Sequence, residues 1–126
     1  MGQIKTFRDL QVWQKAHQLV LEIYRITVKF PNFEKYGLIS QMRRAVISVA
    51  SNIVEGFRRQ HLRDSLNFYN IANGSLEELK YQMLVAHDLK YIDERIYQRT
   101  INLCEEVSKM LNSWIRSQKN NINPKA

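Results

Sequence analysis

Cysteine is nearly absent from this chain, and its other scarce features exclude further classes of protein. Because Cys104 is the only cysteine, one chain can form neither an intramolecular disulfide nor a thiolate metal cluster, and a reducing compartment fits. No run of about 18 apolar residues is long enough to span a bilayer, and the N-terminal MGQIKTFRDL lacks the apolar segment of a signal peptide. The sequence therefore predicts a cytoplasmic protein without a membrane partner.

The motifs of enzymes and metal sites are scarce as well. No two of the three histidines, His17, His61 and His87, have the i, i+4 spacing of a helical metal pair, and no Glu-x-x-His motif occurs. His17 falls on an apolar helix stripe, which predicts a buried histidine. Gly56 and Gly74 are isolated, so there is no glycine-rich phosphate loop. We therefore expect a protein that is not an enzyme and holds neither a metal nor a cofactor.

Positive charge is abundant by comparison. The chain has 19 Lys and Arg against 12 Asp and Glu, a formal charge of +7. Such an excess is compatible with a polyanionic partner, nucleic acid first and an anionic membrane surface second, although it is also ordinary solubilising charge. No aromatic platform interleaves the basic residues, so base-specific reading is not expected. The candidate nucleic-acid-binding residues are Arg43, Arg58, Arg59, Arg63, Lys15 and Lys80.

Apolar residues recur at steps of three and four in four segments, the spacing of core-facing helices. The predicted helices cover residues 9–30, 38–59, 65–89 and 94–116, followed by a frayed tail, 117–126. Pro31 ends the first helix and Asp93 caps the fourth, while Phe33 and Tyr36 are expected to fold over the bundle end. The fold class is all-α: one domain, 1–126, forming an antiparallel up-down-up-down four-helix bundle.

The second helix carries a polar stripe beside its apolar one. Most of its members are short, whereas a free surface usually carries long Lys and Glu side chains. A solvated helix side is one interpretation, and a polar contact with a neighbouring helix or subunit is the one we favour. The stripe consists of Gln41, Arg44, Ser48, Ser51, Asn52 and Glu55.

Antiparallel pairing of the second and third helices predicts the partners of this stripe. It sets Ser48 opposite Ser75 and Arg44 near Glu78. An Arg44–Glu78 pair in the groove would require hydrogen bonds to replace lost hydration. The alternative is that both side chains reach outward to another subunit. Gly74 would expose the backbone for close contact with a neighbour.

Several segments resemble the bacterial four helix bundle protein family, also called the 23S rRNA-intervening sequence protein family. The segments that carry the resemblance, within residues 6–115, are TFRDLQVWQKAHQLV, FPNFEKYGLISQMRRAVISVASNIVEGFRR and FYNIANGSLEELKYQMLVAHDLKYI. The resemblance implies a four-helix bundle assembled as a homopentamer. A related branch is similar to the accessory variability protein of diversity-generating retroelements, a basic pentamer that binds nucleic acid and its reverse transcriptase.

Two hypotheses for function follow. The first is an oligomeric bundle that binds RNA or DNA without strong sequence preference. The second is a protein-interaction module or accessory subunit, for example one that docks a reverse transcriptase, with incidental positive charge.

Overall fold

The computed structural model describes residues 3–122, which fold into four long helices with no strand among them. A short 3-10 helix, Phe7–Asp9, precedes the first long helix, and a second, Asn32–Glu34, lies in the first connection. The four helices are α1 (Gln11–Thr27), α2 (Leu38–Arg58), α3 (Leu62–Asp88) and α4 (Glu94–Ile122).

The helices form the predicted four-helix bundle. Each helix packs beside two others, α2 with α3 most extensively, while α2 and α4 lie diagonally and their backbones do not approach each other closely. Short connections make successive helices antiparallel, so the end of α1, the start of α2, the end of α3 and the start of α4 share one end of the bundle. The predicted apolar stripe of α2 is confirmed, since Met42, Val46, Val49 and Ile53 are fully buried.

Helix boundaries differ from the predicted ones in α1, α3 and α4. Helix α1 covers Gln11–Thr27 rather than 9–30, so the prediction that Pro31 ends it is wrong, because a turn at Val28 and Lys29 already follows its last residue. The prediction of a frayed tail from residue 117 is wrong as far as Ile122, because α4 continues to that residue; residues 123–126 lie outside the described part. Helix α3 begins at Leu62 rather than at residue 65. Ser65 therefore lies inside the helix, where it is buried and its hydroxyl donates a hydrogen bond to the Gly56 carbonyl at 2.8 Å.

The bundle end near the first connection is closed by residues other than those predicted. Phe30 is buried and packs against Tyr91, with ring centroids 5.3 Å apart. Glu34 Oε1 accepts a hydrogen bond from the Leu38 backbone N–H at 3.0 Å, and its Oε2 accepts one from Tyr91 Oη at 2.8 Å. These bonds, led by that of the Leu38 N–H, lower the pKa of Glu34. Because Phe30 and Tyr91 fill this end, Phe33 and Tyr36 remain exposed, and their predicted packing is wrong.

The prediction that His17 is a buried core histidine is also wrong. Its ring lies on the surface, stacked on Trp13 with centroids 5.1 Å apart and an interplanar angle of 13°. Phe7 meets Trp13 edge-on at 4.8 Å. Ala16 and Val20 occupy the buried positions beside it, so the imidazole covers the indole without entering the core.

Candidate interaction surfaces

The polar stripe divides into an inner and an outer part. Ser48 Oγ lies 2.7 Å from Ser75 Oγ across the α2–α3 groove, which confirms the predicted register. Asn52 Nδ2 donates to the Ser48 carbonyl at 2.8 Å and to Ser48 Oγ at 3.1 Å. These three half-buried residues form hydrogen bonds with one another within one chain. The outer part consists of the exposed residues Gln41, Arg44, Ser51 and Glu55, and Glu78, the predicted α3 neighbour of Arg44, is exposed as well.

The predicted Arg44–Glu78 ion pair is wrong. Both residues lie on the exposed surface of the described chain, and no ion pair joins them. Glu78 instead accepts a hydrogen bond from Gln82 Nε2 at 3.3 Å. Small side chains bring the helices together at Ser48 and Ser75, and the long side chains beside them turn to solvent, where charge costs little desolvation.

A double-mutant cycle tests the inner part of the stripe. Ser48→Ala and Ser75→Ala are expected to show a coupling of about 1 kcal/mol in the free energy of unfolding, because each hydroxyl is the other's partner. The cycle cancels the helix propensity of the new alanines. Urea unfolding at fixed protein concentration measures the free energy of unfolding of each variant, from which the coupling is obtained. In the control cycle, Ser48→Ala with Glu78→Ala should be additive within about 0.5 kcal/mol. A coupling near zero for the serine pair would contradict the hydrogen bond.

The candidate basic residues do not form one cluster. Lys15 Nζ lies 3.3 Å from Glu106 Oε2, facing α4. Lys80 Nζ lies 2.6 Å from Glu105 Oε1 and 2.7 Å from Glu77 Oε2. Burial alone would lower the pKa of Lys80, but hydrogen bonds to these two carboxylates outweigh it and raise the pKa. Carboxylates therefore compensate both lysines.

The arginines at the α2–α3 connection do lie together. Arg59 pairs with Glu55, four residues before it on α2, at 2.9 Å, and its guanidinium lies 4.5 Å from the centre of the Phe68 ring. Arg58 and Arg63 are exposed, and within residues 3–122 neither forms an ion pair. These two arginines leave uncompensated positive charge at this end of the bundle.

Arg43 and Arg44 lie elsewhere, near the start of α2. Arg44 precedes Arg58 by 14 residues, which is about 21 Å along a helix axis. Both arginines border a shallow pocket of about 480 Å³. Its remaining lining residues are Tyr24, Lys35, Tyr36, Ile39, Ser40 and Ile47. The pocket could not be predicted from the sequence, because Tyr36, which lines it, was expected to fold over the bundle end.

Cys104 and the acidic and histidine side chains are the groups that could carry nucleophilic or metal chemistry. Burial raises the pKa of the Cys104 thiol to about 12, which suppresses the nucleophilic thiolate. Within residues 3–122, no group of three or more His, Cys, Asp or Glu side chains is arranged to hold a metal ion. No helix in that range is long and apolar enough to cross a membrane.

The fold and these surfaces define a basic, all-α four-helix bundle with polar and charged groups along its exposed α2 face. The family model for the 23S rRNA-intervening sequence protein matches residues 8–113, and the chain belongs to that family. Among solved structures, the chain is similar to a Bacteroides thetaiotaomicron protein of unknown function from the S23 ribosomal protein family. The two share 26% sequence identity with a TM-score of 0.77, over 83% of this chain and 95% of that one. No functionally curated protein matches the chain.

Proposed function

We propose that this protein is a non-catalytic, homo-oligomeric bundle of the cytoplasm that binds RNA or DNA through phosphate contacts, without strong sequence preference. The observation that carries the proposal is the exposed, uncompensated pair Arg58 and Arg63 beside Arg59 at the α2–α3 connection. A net charge of +7 adds a long-range attraction for polyanions. Guanidinium groups match phosphate in planar, bidentate geometry.

Assembly enlarges such a site. A single chain offers two or three phosphate contacts, whereas a symmetric ring repeats them around its axis. We propose a homopentamer, the assembly that the family resemblance implies, with Glu55 of the outer part and Glu78 of α3 as its subunit contact, so that Arg44, Ser51 and Arg58 stay accessible to nucleic acid.

Nucleic-acid binding is tested by light scattering coupled to size-exclusion chromatography, with a mixed pool of RNA and single-stranded DNA. The wild-type assembly is expected to bind the pool at low salt and release it as salt rises. In a fluorescence titration, Arg58→Ala with Arg63→Ala is expected to lower the slope of log affinity against log salt. The decrease should be about 0.7 per lost phosphate contact on single strands, hence about 1.4 for two.

Lys109→Ala with Arg95→Ala is the matched control for charge, since it removes two exposed positive charges from α4. It is expected to change the slope by less than the arginine variant does. Circular dichroism should show the same helix content and melting temperature in all three proteins. Binding that ignores salt, or an arginine variant that keeps the wild-type slope, would contradict the proposed site.

A second candidate function is docking of a protein partner. Exposed apolar side chains favour it: Ile47 on α2 and Ile71 on α3 are 43% and 50% exposed, and no atom lies within 4 Å of a Cβ placed on Gly74. An acidic partner, or a reverse transcriptase, would make the positive charge incidental to nucleic acid. An assembly that ignores nucleic acid at low salt would favour this function.

A further inference from the structure

The shallow pocket at the start of α2 combines cations with exposed tyrosines and has no carboxylate in its lining. Lys35, Arg43 and Arg44 supply three positive charges, and the other lining residues are uncharged. A larger groove of about 590 Å³ between the N-terminal segment, α1 and α4 differs in this respect, because it is lined by both Asp9 and Lys109. The positive charge of its lining therefore favours binding of an anion in the smaller pocket.

Arg43 is held in place on the wall of this pocket. Its Nε donates to Thr27 Oγ1 at 2.9 Å, and its guanidinium lies 4.6 Å from the centre of the Tyr24 ring. The Thr27 hydroxyl in turn donates to the Ile23 carbonyl at 2.7 Å, so the acceptor is itself fixed. A guanidinium positioned before binding loses less side-chain entropy when it takes an anion.

Aromatic rings lie beside these cations. Tyr36 is 87% exposed and Lys35 Nζ lies 5.5 Å from the centre of its ring, while Tyr24 is 38% exposed. Every nucleobase has a face that stacks on such a ring, and stacking tolerates any sequence. Rings of this kind with cations beside them are the two components that proteins use to hold unpaired nucleotides.

We propose that this pocket holds one nucleotide of a single strand, with its base stacked on Tyr36 and its phosphate bound by Arg43, Arg44 and Lys35. The proposal rests on the proposed nucleic-acid function and adds a second site of contact with the strand.

Arg44, Ser51 and Arg58 recur every seven residues, which places them on one exposed face of α2. The distance of about 21 Å from Arg44 to Arg58 corresponds to about six stacked nucleotides of about 3.4 Å each. One strand can therefore reach both sites.

The stacking contact is tested with two fluorescent probes, a 15-nucleotide oligothymidylate and an abasic oligonucleotide of the same length. Tyr36→Ala is expected to weaken binding of the thymidylate about tenfold and to leave binding of the abasic probe within about twofold. Phe33→Ala is the matched control, because Phe33 is an exposed ring, 79% exposed, in the same connection but outside the pocket. Equal losses on both probes, or an equal loss in Phe33→Ala, would overturn the stacking assignment.

The phosphate contact is tested on the same probes. Arg44→Ala is expected to weaken binding of both by the same factor, about threefold or more at low salt, whereas Arg95→Ala should change both less. Arg95 is an exposed arginine on α4, diagonal to α2 but at the same bundle end. With a 5-iodouracil oligonucleotide, photo-crosslinking should attach the base to Tyr36 or Tyr24, and adducts confined to other residues would overturn the placement.

The outcomes separate this proposal from the function on which it rests. Salt-dependent binding by the wild type, unaffected by Tyr36→Ala and Arg44→Ala, would overturn the pocket and leave the function standing. Absence of wild-type binding to either probe at low salt would overturn both. Polyglutamate that displaces the thymidylate as well as unlabelled thymidylate does would identify an acidic protein as the pocket's ligand and overturn the nucleotide.

Discussion

Gly56→Ala is expected to lower the free energy of unfolding by about 2 kcal/mol, although alanine is the better helix former. A Cβ at Gly56 would overlap Tyr69 Cε1 and would lie 2.7 Å from Cδ1 and 2.9 Å from Cζ of the same ring. The ring cannot move aside cheaply, because Tyr69 is buried and its hydroxyl accepts a hydrogen bond from Trp114 Nε1 at 2.9 Å. Overpacking costs about 1–3 kcal/mol, occasionally more, against a gain in helix propensity of about 1 kcal/mol.

Gly74→Ala is the matched control, since it makes the same substitution in a helix with the opposite expected sign. No atom lies within 4 Å of the added Cβ, so the gain in propensity of about 1 kcal/mol should appear in full. Urea unfolding with circular dichroism measures both variants at one protein concentration. If Gly56→Ala proved as stable as the wild type, the close approach of α2 to Tyr69 would be wrong. A destabilised Gly74→Ala would place Gly74 in a contact between subunits.

The helices could be predicted from the sequence because apolar residues recur at steps of three and four along the buried face of each helix. The serine register across α2 and α3 followed from the same reasoning, since antiparallel pairing about a short connection fixes which residues face each other. The small side chains at Ser48 and Ser75 allow the helices to approach. Pairing between long side chains could not be predicted in this way, because Arg44 and Glu78 reach solvent from the same positions.

The bundle end could not be predicted, because several aromatic residues compete for one space. Phe30 and Tyr91 fill it, while Phe33 and Tyr36 in the same connection stay outside. Which aromatic residues fill this end depends on Glu34, because it accepts hydrogen bonds from the start of α2 and from the Tyr91 hydroxyl and thereby orients the connection. A bond between residues 57 positions apart leaves no periodic trace in a sequence. The candidate pocket was missed for this reason, since Tyr36, its exposed tyrosine, was expected to fold over the bundle end.

The end of α4 was missed for a different reason. Residues 117–121 are polar and provide no apolar stripe, so their sequence predicts a tail. The helix nevertheless continues to Ile122, because propagation needs only one more backbone hydrogen bond per residue once the preceding turns are formed. Polar composition therefore predicted exposure correctly and the helix boundary incorrectly.

The thiol of Cys104 is expected to react with a disulfide reagent at pH 8 about a thousandfold more slowly in the folded protein than in the unfolded chain. Burial is the main cause: it raises the pKa to about 12 from an ordinary value of 9.0, opposed by the charge of Lys80 and reinforced by Glu105 and Glu77. The thiolate is the reactive form, and this difference in pKa reduces its fraction about a thousandfold at pH 8. Release of thionitrobenzoate, with and without guanidinium chloride, measures both rates.

The same raised pKa predicts how stability depends on pH. Between about pH 9 and 12 the unfolded thiol ionises while the folded one stays protonated, so the folded chain binds more protons. The contribution of Cys104 to the free energy of unfolding is therefore complete below pH 9 and is lost as pH rises through this range. Cys104→Ala is the control, since it should lose less stability than the wild type between pH 8.5 and 10.

The reaction rates of the thiol test the packing itself. If the thiol of the folded protein reacted as fast as that of the unfolded chain, Cys104 would not be enclosed between α3 and α4, and the packing of the bundle on that side would be wrong.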